Sequence, residues 1–310
     1  MITPSLPTIV RCLLLLAVVT PAATAAQFSG LYVFGDSLSD VGNTSLATGG
    51  ALPGPAYYNG RYSNGPVWVE SLAASLSLPL LTPSLLGGTN HAWAGAFTQS
   101  GGAVPTISQQ AAQFAATGGV FEPTDLVVLW GGANDFLLSG QTNPAVPVAN
   151  LGGIVSTLAG AGAQTILLPN LPDLADTPEL RRTNNPALMA GVSLLINAFN
   201  AALATQIPLW ENTHGVDIVP LDIYGIGKEL SANPSAYGFT NTTDSALLSG
   251  AADDADAYLY WDTVHPTTRV HEVFAHEARR RTVPESSPTF WLLLPALAAF
   301  TVHRRLAGRE

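Results

Sequence analysis

The apolar positions of this chain switch repeatedly between two spacings. Leu31-Tyr32-Val33-Phe34 and Leu126-Val127-Val128-Leu129-Trp130 are short continuous apolar runs that end in glycine, as strands buried on both faces do. Thr165-Ile166-Leu167-Leu168 and Val216-Asp217-Ile218-Val219 are weaker runs of the same kind. Between the runs the spacing lengthens to that of helices, over residues 67–76, 107–117, 148–161 and 186–207, with a further helix expected over 267–281. In 186–207, Leu188, Val192, Leu195, Ile196, Phe199 and Leu203 recur at helical spacing, and Pro186 suits a first turn. Alternating strand and helix predicts an α/β fold, a parallel sheet with helices on both faces. Chemistry in such sheets gathers where strands end in glycine-rich loops. Residues 49–65 read as a long surface loop and 230–257 as irregular, and no fixed-period repeat is apparent.

The two ends break this pattern. Residues 1–26 carry Arg11, an apolar stretch from Cys12 to Val19, and Ala22-Ala23-Thr24-Ala25-Ala26, which together predict a secretory signal cleaved after Ala25 or Ala26. Cys12, the sole cysteine, would leave with it, so the mature chain would hold no disulfide. From residue 283 the chain reads Val283-Pro284-Glu285-Ser286, then an apolar run from Phe290 to Val302 interrupted by Pro295, then His303-Arg304-Arg305. That run is shorter than the ~20 residues a spanning helix needs. It resembles a PEP-CTERM sorting tail, with Ser286 where the second proline of the motif usually stands, and the resemblance implies an exosortase-type enzyme as partner. The alternative is an unprocessed membrane-associated tail with its basic flank on the cytoplasmic side. The expected division is a signal peptide over 1–26, one catalytic domain over 27–282 and a sorting segment over 283–310. Membrane contact is expected only through the two ends, and the location is the cell envelope or the extracellular space.

Composition narrows the function. The chain has 310 residues, 47% of them hydrophobic, enough for one sizeable core. Its formal net charge is −10 and Lys228 is its only lysine, which argues against nucleic acid as a partner. Asp253, Asp254 and Asp256 lack the spaced ligands of a calcium loop and read as exposed. His265, His271 and His276 are six and five residues apart, which does not put successive ligands on one helix face, and no His-Glu-x-x-His occurs. No metal or cofactor is expected, and His271 and His276 read as ordinary residues of the final helix.

Candidate chemistry lies at the predicted strand ends. Phe34-Gly35-Asp36-Ser37-Leu38-Ser39-Asp40 follows the first strand directly, and a serine on such a turn can project its hydroxyl while nearby N–H groups point inward. Taken alone, Gly-Asp-Ser is a common turn, and the Gly-x-Ser-x-Gly elbow is missing. Trp261-Asp262-Thr263-Val264-His265-Pro266 precedes the last helix. Imidazole suits the removal of a serine proton near neutral pH, and a carboxylate three residues away can hold its other ring nitrogen. Asn90-His91-Ala92-Trp93-Ala94-Gly95-Ala96 offers a glycine N–H, and Gly131-Gly132-Ala133-Asn134-Asp135 an asparagine amide just beyond a strand.

In this order the blocks resemble the GDSL (SGNH) hydrolase family of esterases and lipases. The resemblance rests on Gly35-Asp36-Ser37-Leu38-Ser39-Asp40-Val41-Gly42-Asn43, on Gly95, on Gly132-Ala133-Asn134-Asp135 and on Asp262-Thr263-Val264-His265-Pro266. Asn59-Gly60-Arg61-Tyr62-Ser63-Asn64-Gly65-Pro66-Val67-Trp68 is similar to the segment that follows the first block in many members. It implies a three-layer α/β/α sandwich of flavodoxin-like type and a triad of Ser37, Asp262 and His265. It also implies an oxyanion hole from the Ser37 backbone, Gly95 and Asn134, although many members have Gly-Gly where this chain has Ala94-Gly95. The implied substrates are esters: small carboxylic esters, lipids or acetylated glycans, with an O-acetyl esterase of exopolysaccharide as the alternative activity. A non-catalytic envelope protein that keeps the fold is the rival of another class.

Overall fold

The structure, a computed structural model, describes residues 28–283; the segment expected to be a signal peptide, and the expected sorting tail apart from Val283, lie outside the described residues. The chain enters through β1 (Gly30–Gly35), then α1 (Asn43–Ala47), α2 (Trp68–Ser75) and α3 (Ile107–Ala116) lead to β2 (Asp125–Trp130). Next come α4 (Ala133–Leu137), α5 (Ala145–Gly160), β3 (Thr165–Pro169), α6 (Pro178–Arg181), the long α7 (Pro186–His214) and β4 (Asp217–Leu221). The last part holds α8 (Ile223–Ala232), β5 (Asn241–Ser245), β6 (Tyr258–Tyr260) and α9 (Thr268–Thr282).

The four apolar runs become β1 to β4, which pair in that order and all in parallel. On the open side of β1 the segment 89–93 runs parallel to it. The Val33 N–H donates to the Thr89 carbonyl (3.0 Å), the His91 N–H to Val33 (2.7 Å) and the Trp93 N–H to Gly35 (3.1 Å). The chain therefore leaves β1 toward one edge and returns to the other side of it for β2. Such a reversal opens a crevice at the carboxyl ends of the two central strands.

Alternation along the strands supplies both faces. Tyr32 and Phe34 meet Phe114 of α3 edge-on, whereas Trp130 turns to the other side, onto Trp68 of α2 and Phe274 of α9. α2 packs on α9, while α3, α5 and α7 pack in succession. The result is a three-layer α/β/α sandwich around a parallel sheet. Leu126, Val127, Val128 and Leu129 are fully buried, which explains why β2 is apolar at consecutive positions.

Two stretches differ from the pattern. α7 runs seven residues past 207, straight through Pro208, to a left-handed Gly215. Pro208 is exposed, while Ile207 and Trp210 on either side of it are buried, so tertiary packing carries the helix across the missing N–H. Residues 230–257, expected to be irregular, contain β5, which pairs in parallel with β6. Its sequence Asn-Thr-Thr-Asp-Ser has no apolar alternation, so the pairing is dictated by its neighbour. α8 was also hidden, because Gly225 and Gly227 dilute its helical pattern.

Candidate active site

The crevice is built first by fixing the end of β1. A Cβ on Gly35 would stand 2.7 Å from the Trp130 carbonyl, so only glycine lets β1 and β2 approach here. The Gln110 side chain accepts from the Gly35 N–H (3.0 Å) and donates to the Gly35 carbonyl (2.9 Å), locking this end to α3. A tight turn follows, with the Ser39 and Asp40 N–H groups both donating to the Asp36 carbonyl at 3.0 Å. Ser37 stands on this turn.

Asp40 joins the first block to the second. One carboxylate oxygen accepts from the N–H groups of Gly42 and Asn43 (2.7 Å each), the other from those of Thr44 and Ala94 (3.1 Å each). Asn43 in turn donates to the Asn90 and Ala92 carbonyls, and Asn90 to Ser39. The second block meets the third through Asp135, which accepts from the Thr98 N–H (3.0 Å) and hydroxyl (2.6 Å).

The loop before α9 closes when the Trp261 N–H donates to the His265 carbonyl (2.8 Å). Inside it, Oδ1 of Asp262 accepts from the N–H groups of Val264 (2.8 Å) and His265 (2.7 Å), and Oδ2 bonds Nδ1 of His265 (2.7 Å). Nε2 of His265 lies 2.8 Å from Oγ of Ser37. Burial by itself would raise the Asp262 carboxyl, but the charge and ring of His265 and the two loop N–H groups overcome it and bring the pKa down to about 2. The carboxylate is therefore ionised at any ordinary pH and holds the imidazole from one side, leaving Nε2 to face the serine.

The two further expected donors, Gly95 and Asn134, stand on the second and third blocks. Gly95 has φ +79° with nothing within 4 Å of an added Cβ, so backbone conformation and not crowding demands glycine there. Among the described residues no protein acceptor takes the N–H of Ser37 or of Gly95. Asn134, just past the left-handed Gly132, donates from Nδ2 to the Ala96 carbonyl (3.0 Å), which orients its amide and leaves that nitrogen a second hydrogen. Asn134, Ser37 and His265 line one pocket.

The family model of the GDSL-like lipase/acylhydrolases matches residues 31–278. The chain belongs to that family. It is 29% identical over 329 residues to the phosphatidylcholine-sterol acyltransferase of Aeromonas hydrophila, with 86% of this chain and 94% of that protein covered. It is 27% identical over 272 residues to the thermolabile hemolysin of Vibrio parahaemolyticus, covering 81% of this chain but 63% of the hemolysin. Among solved structures, a lipolytic G-D-S-L protein of Veillonella parvula is similar at 16% identity and a TM-score of 0.46, covering 81% of this chain and 96% of that one. This GDSL protein is thus a hydrolase acting on ester bonds.

Several residues of this GDSL site escaped the motifs. Tyr57, in the long loop, donates its hydroxyl to Oδ2 of Asp262 (2.8 Å), and the Tyr62 ring lies 5.1 Å from the ring of His265. Burial, then the charges of Asp40 and Asp262, push the Tyr62 phenol to about 12. The same loop straps down the histidine segment: Ser63 donates to the Pro266 carbonyl (2.9 Å), and Asn64 accepts from the Thr268 N–H (2.9 Å). The family-like stretch Asn59–Trp68 was the available signal, but its role needs contacts more than 200 residues apart. Asp36 is fully buried beside Ser37, and burial raises its carboxyl to about 6. His271, read as ordinary, is fully buried with neither ring nitrogen bonded among the described residues, and burial pulls it down to about 3. Asp253, Asp254 and Asp256 are exposed on a 3-10 turn.

Proposed function

We propose that this protein is an exported serine hydrolase that cleaves carboxylic esters through an acyl-enzyme on Ser37. The observation that carries the reading is the unbroken hydrogen-bond chain from Ser37 through His265 to Asp262 at the mouth of the crevice. Oγ of Ser37 attacks the ester carbonyl carbon while its proton passes to Nε2 of His265. The tetrahedral intermediate collapses, the bond to the alcohol breaks, and the alcohol leaves with that proton. Water then attacks the acyl-serine, giving a proton to His265, which returns it to Ser37 as the acid departs. The negative oxygen of each intermediate is received by the N–H groups of Ser37 and Gly95 and by the Asn134 amide. Export is supported by the charged, apolar and small-residue order of residues 1–26, and envelope sorting by the tail from Val283. Likeness to a protein named for phosphatidylcholine supports lipid esters as substrates.

A p-nitrophenyl ester should give an acyl adduct on the Ser37 peptide, detectable by mass, and Ser37→Ala should abolish both adduct and turnover. Asn134→Ala should lower kcat by roughly 10²–10³ with a smaller change in KM. Wild-type hydrolysis by pure Ser37→Ala protein would refute the mechanism. Cell fractionation of the tagged full chain tests export, and a cytoplasmic protein would refute it.

A further inference from the structure

Resting on that serine-hydrolase reading, we propose that the apolar pocket beside Ser37 is an acyl-chain site. It selects an aliphatic acyl group well longer than acetyl, and Gly227 is the residue whose missing side chain keeps it open. The pocket, of about 90 Å³, starts at Ser37, Asn134 and His265 and continues between α8, β6 and α9. Its walls include Leu230, Leu259, Val270 and Phe274, all buried. An acetyl group ends one methyl beyond the carbonyl and leaves most of this apolar lining uncovered. Every further methylene that reaches it contributes about fourfold in kcat/KM. The acyl group stays on Ser37 through both half-reactions, so a pocket that begins at that serine serves acylation and deacylation alike.

Polar groups in the wall beyond the triad are largely committed to the protein, unlike the outward donors and acceptors a sugar would need. Asp173 is held by the Lys228 ammonium (2.7 Å), the Ser193 hydroxyl (2.7 Å) and the Ala175 N–H (3.1 Å). The Thr177 hydroxyl donates to the Leu174 carbonyl (2.7 Å), which leaves Tyr260 as the uncommitted hydroxyl there among the described residues.

Gly227 sits inside α8, where glycine weakens a helix relative to alanine. Its neighbour Gly225 has a local reason to be glycine, because a Cβ there would collide with the Asp222 carboxylate that caps the helix. Gly227 has neither crowding nor a left-handed backbone, and a Cβ on it meets no heavy atom within 4 Å. Gly153 and Gly191 are equally uncrowded helix positions, but Gly227 alone of the three lines the pocket. Gly227 is half-buried and lines the pocket, so a long side chain there would take space from the ligand.

The experiment uses the full chain and p-nitrophenyl acetate, butyrate, octanoate and palmitate. Wild-type kcat/KM should rise at least about tenfold from acetate to octanoate. Gly227→Leu and Gly227→Phe should cut octanoate hydrolysis at least about tenfold while acetate stays within about twofold, with Gly227→Ala close to wild type. Melting temperatures should not fall, since these changes remove a helix glycine. A parallel series of acetates with lengthening alcohols should show no comparable rise. Preference for acetate overturns the proposal, as does a rise confined to the alcohol series. Identical chain-length profiles for wild type and Gly227→Phe remove Gly227 from the role. Hydrolysis of none of the esters refutes the serine-hydrolase reading itself, and the acyl site with it.

Discussion

Two side chains around the triad do opposite electrostatic work. Tyr57 adds a hydroxyl donor to the oxygen of Asp262 that also holds His265, so it steadies the carboxylate without touching the serine. Since two loop N–H groups already hold Oδ1, Tyr57→Phe should leave the loop folded and lower kcat by about tenfold with KM nearly unchanged. Steady-state kinetics check this, and a raised KM with kcat unchanged would show that Tyr57 binds substrate instead. His271 is the contrary case, an imidazole that the fold keeps neutral. Its ordinary value of 6.5 falls to about 3 on burial. Below pH 6.5 the unfolded chain therefore takes a proton that the folded chain refuses. This group's contribution to unfolding free energy accordingly falls as pH drops from 6.5 toward 3, with a limiting slope of about 1.4 kcal/mol per pH unit. His271→Phe should lose that slope, so denaturant curves of variant and wild type should diverge between pH 7 and 4. Parallel curves would mean that His271 is not held neutral in the folded protein.

Helix α7 shows how an element far from the chemistry positions it. Phe199 meets the Phe136 ring of α4 edge-on at 5.6 Å, and its ring atoms lie 3.2 Å from where a Cβ on Gly132 would be. Gly132 has φ +113°, a backbone that favours glycine, and Phe199 would leave a Cβ there only a tight fit. The turn that presents Asn134 is thus braced by a buried aromatic from another layer. Phe199→Ala should cost about 3–5 kcal/mol in chemical unfolding, and kcat should fall in the surviving folded protein because the brace is gone. Retention of full kcat alongside the stability loss would show that the turn holds its shape unaided. The loop 261–265 is held from both sides: Asp262 ties it from within, while the Glu179 N–H donates to the Thr263 carbonyl (2.8 Å) and the Ser245 hydroxyl to the Trp261 carbonyl (2.9 Å).

For the molecule as a unit, the match to the GDSL family ends at 278 and α9 ends at Thr282, both Ala278 and Thr282 being buried. Ending the chain after Val283 should leave kcat/KM within about twofold of the full chain. Ester hydrolysis by the two proteins, at matched concentration, checks this. A large loss in a folded truncated protein would show that the tail contributes to the site. Cutting two residues or more into α9 should instead destabilise the fold, since buried Thr282 and then Ala278 are removed from the core.

Much of this architecture was legible from local pattern. Four buried strands are short apolar runs because both sheet faces are covered, and the main helices show their spacing because one stripe of each is buried. Asp262 and His265 could be paired from spacing, since three residues on a turn place them within reach whatever else the chain does. The blocks around Ser37, Gly95 and Asn134 could be matched to a family, but no local rule brings Ser37 within 2.8 Å of a histidine 228 positions away. That distance depends on the reversal of strand order at β1, which follows from how every apolar face is buried together. Tyr57, Phe199 and His271 were equally silent, because their partners lie in other layers. The β5–β6 pair and the acyl pocket likewise come from packing: Asn-Thr-Thr-Asp-Ser becomes a strand only against β6, and Gly227 acquires meaning only from the space beside it. Short-range spacing is written into the chain residue by residue, whereas long-range placement is settled by the burial of all elements at once.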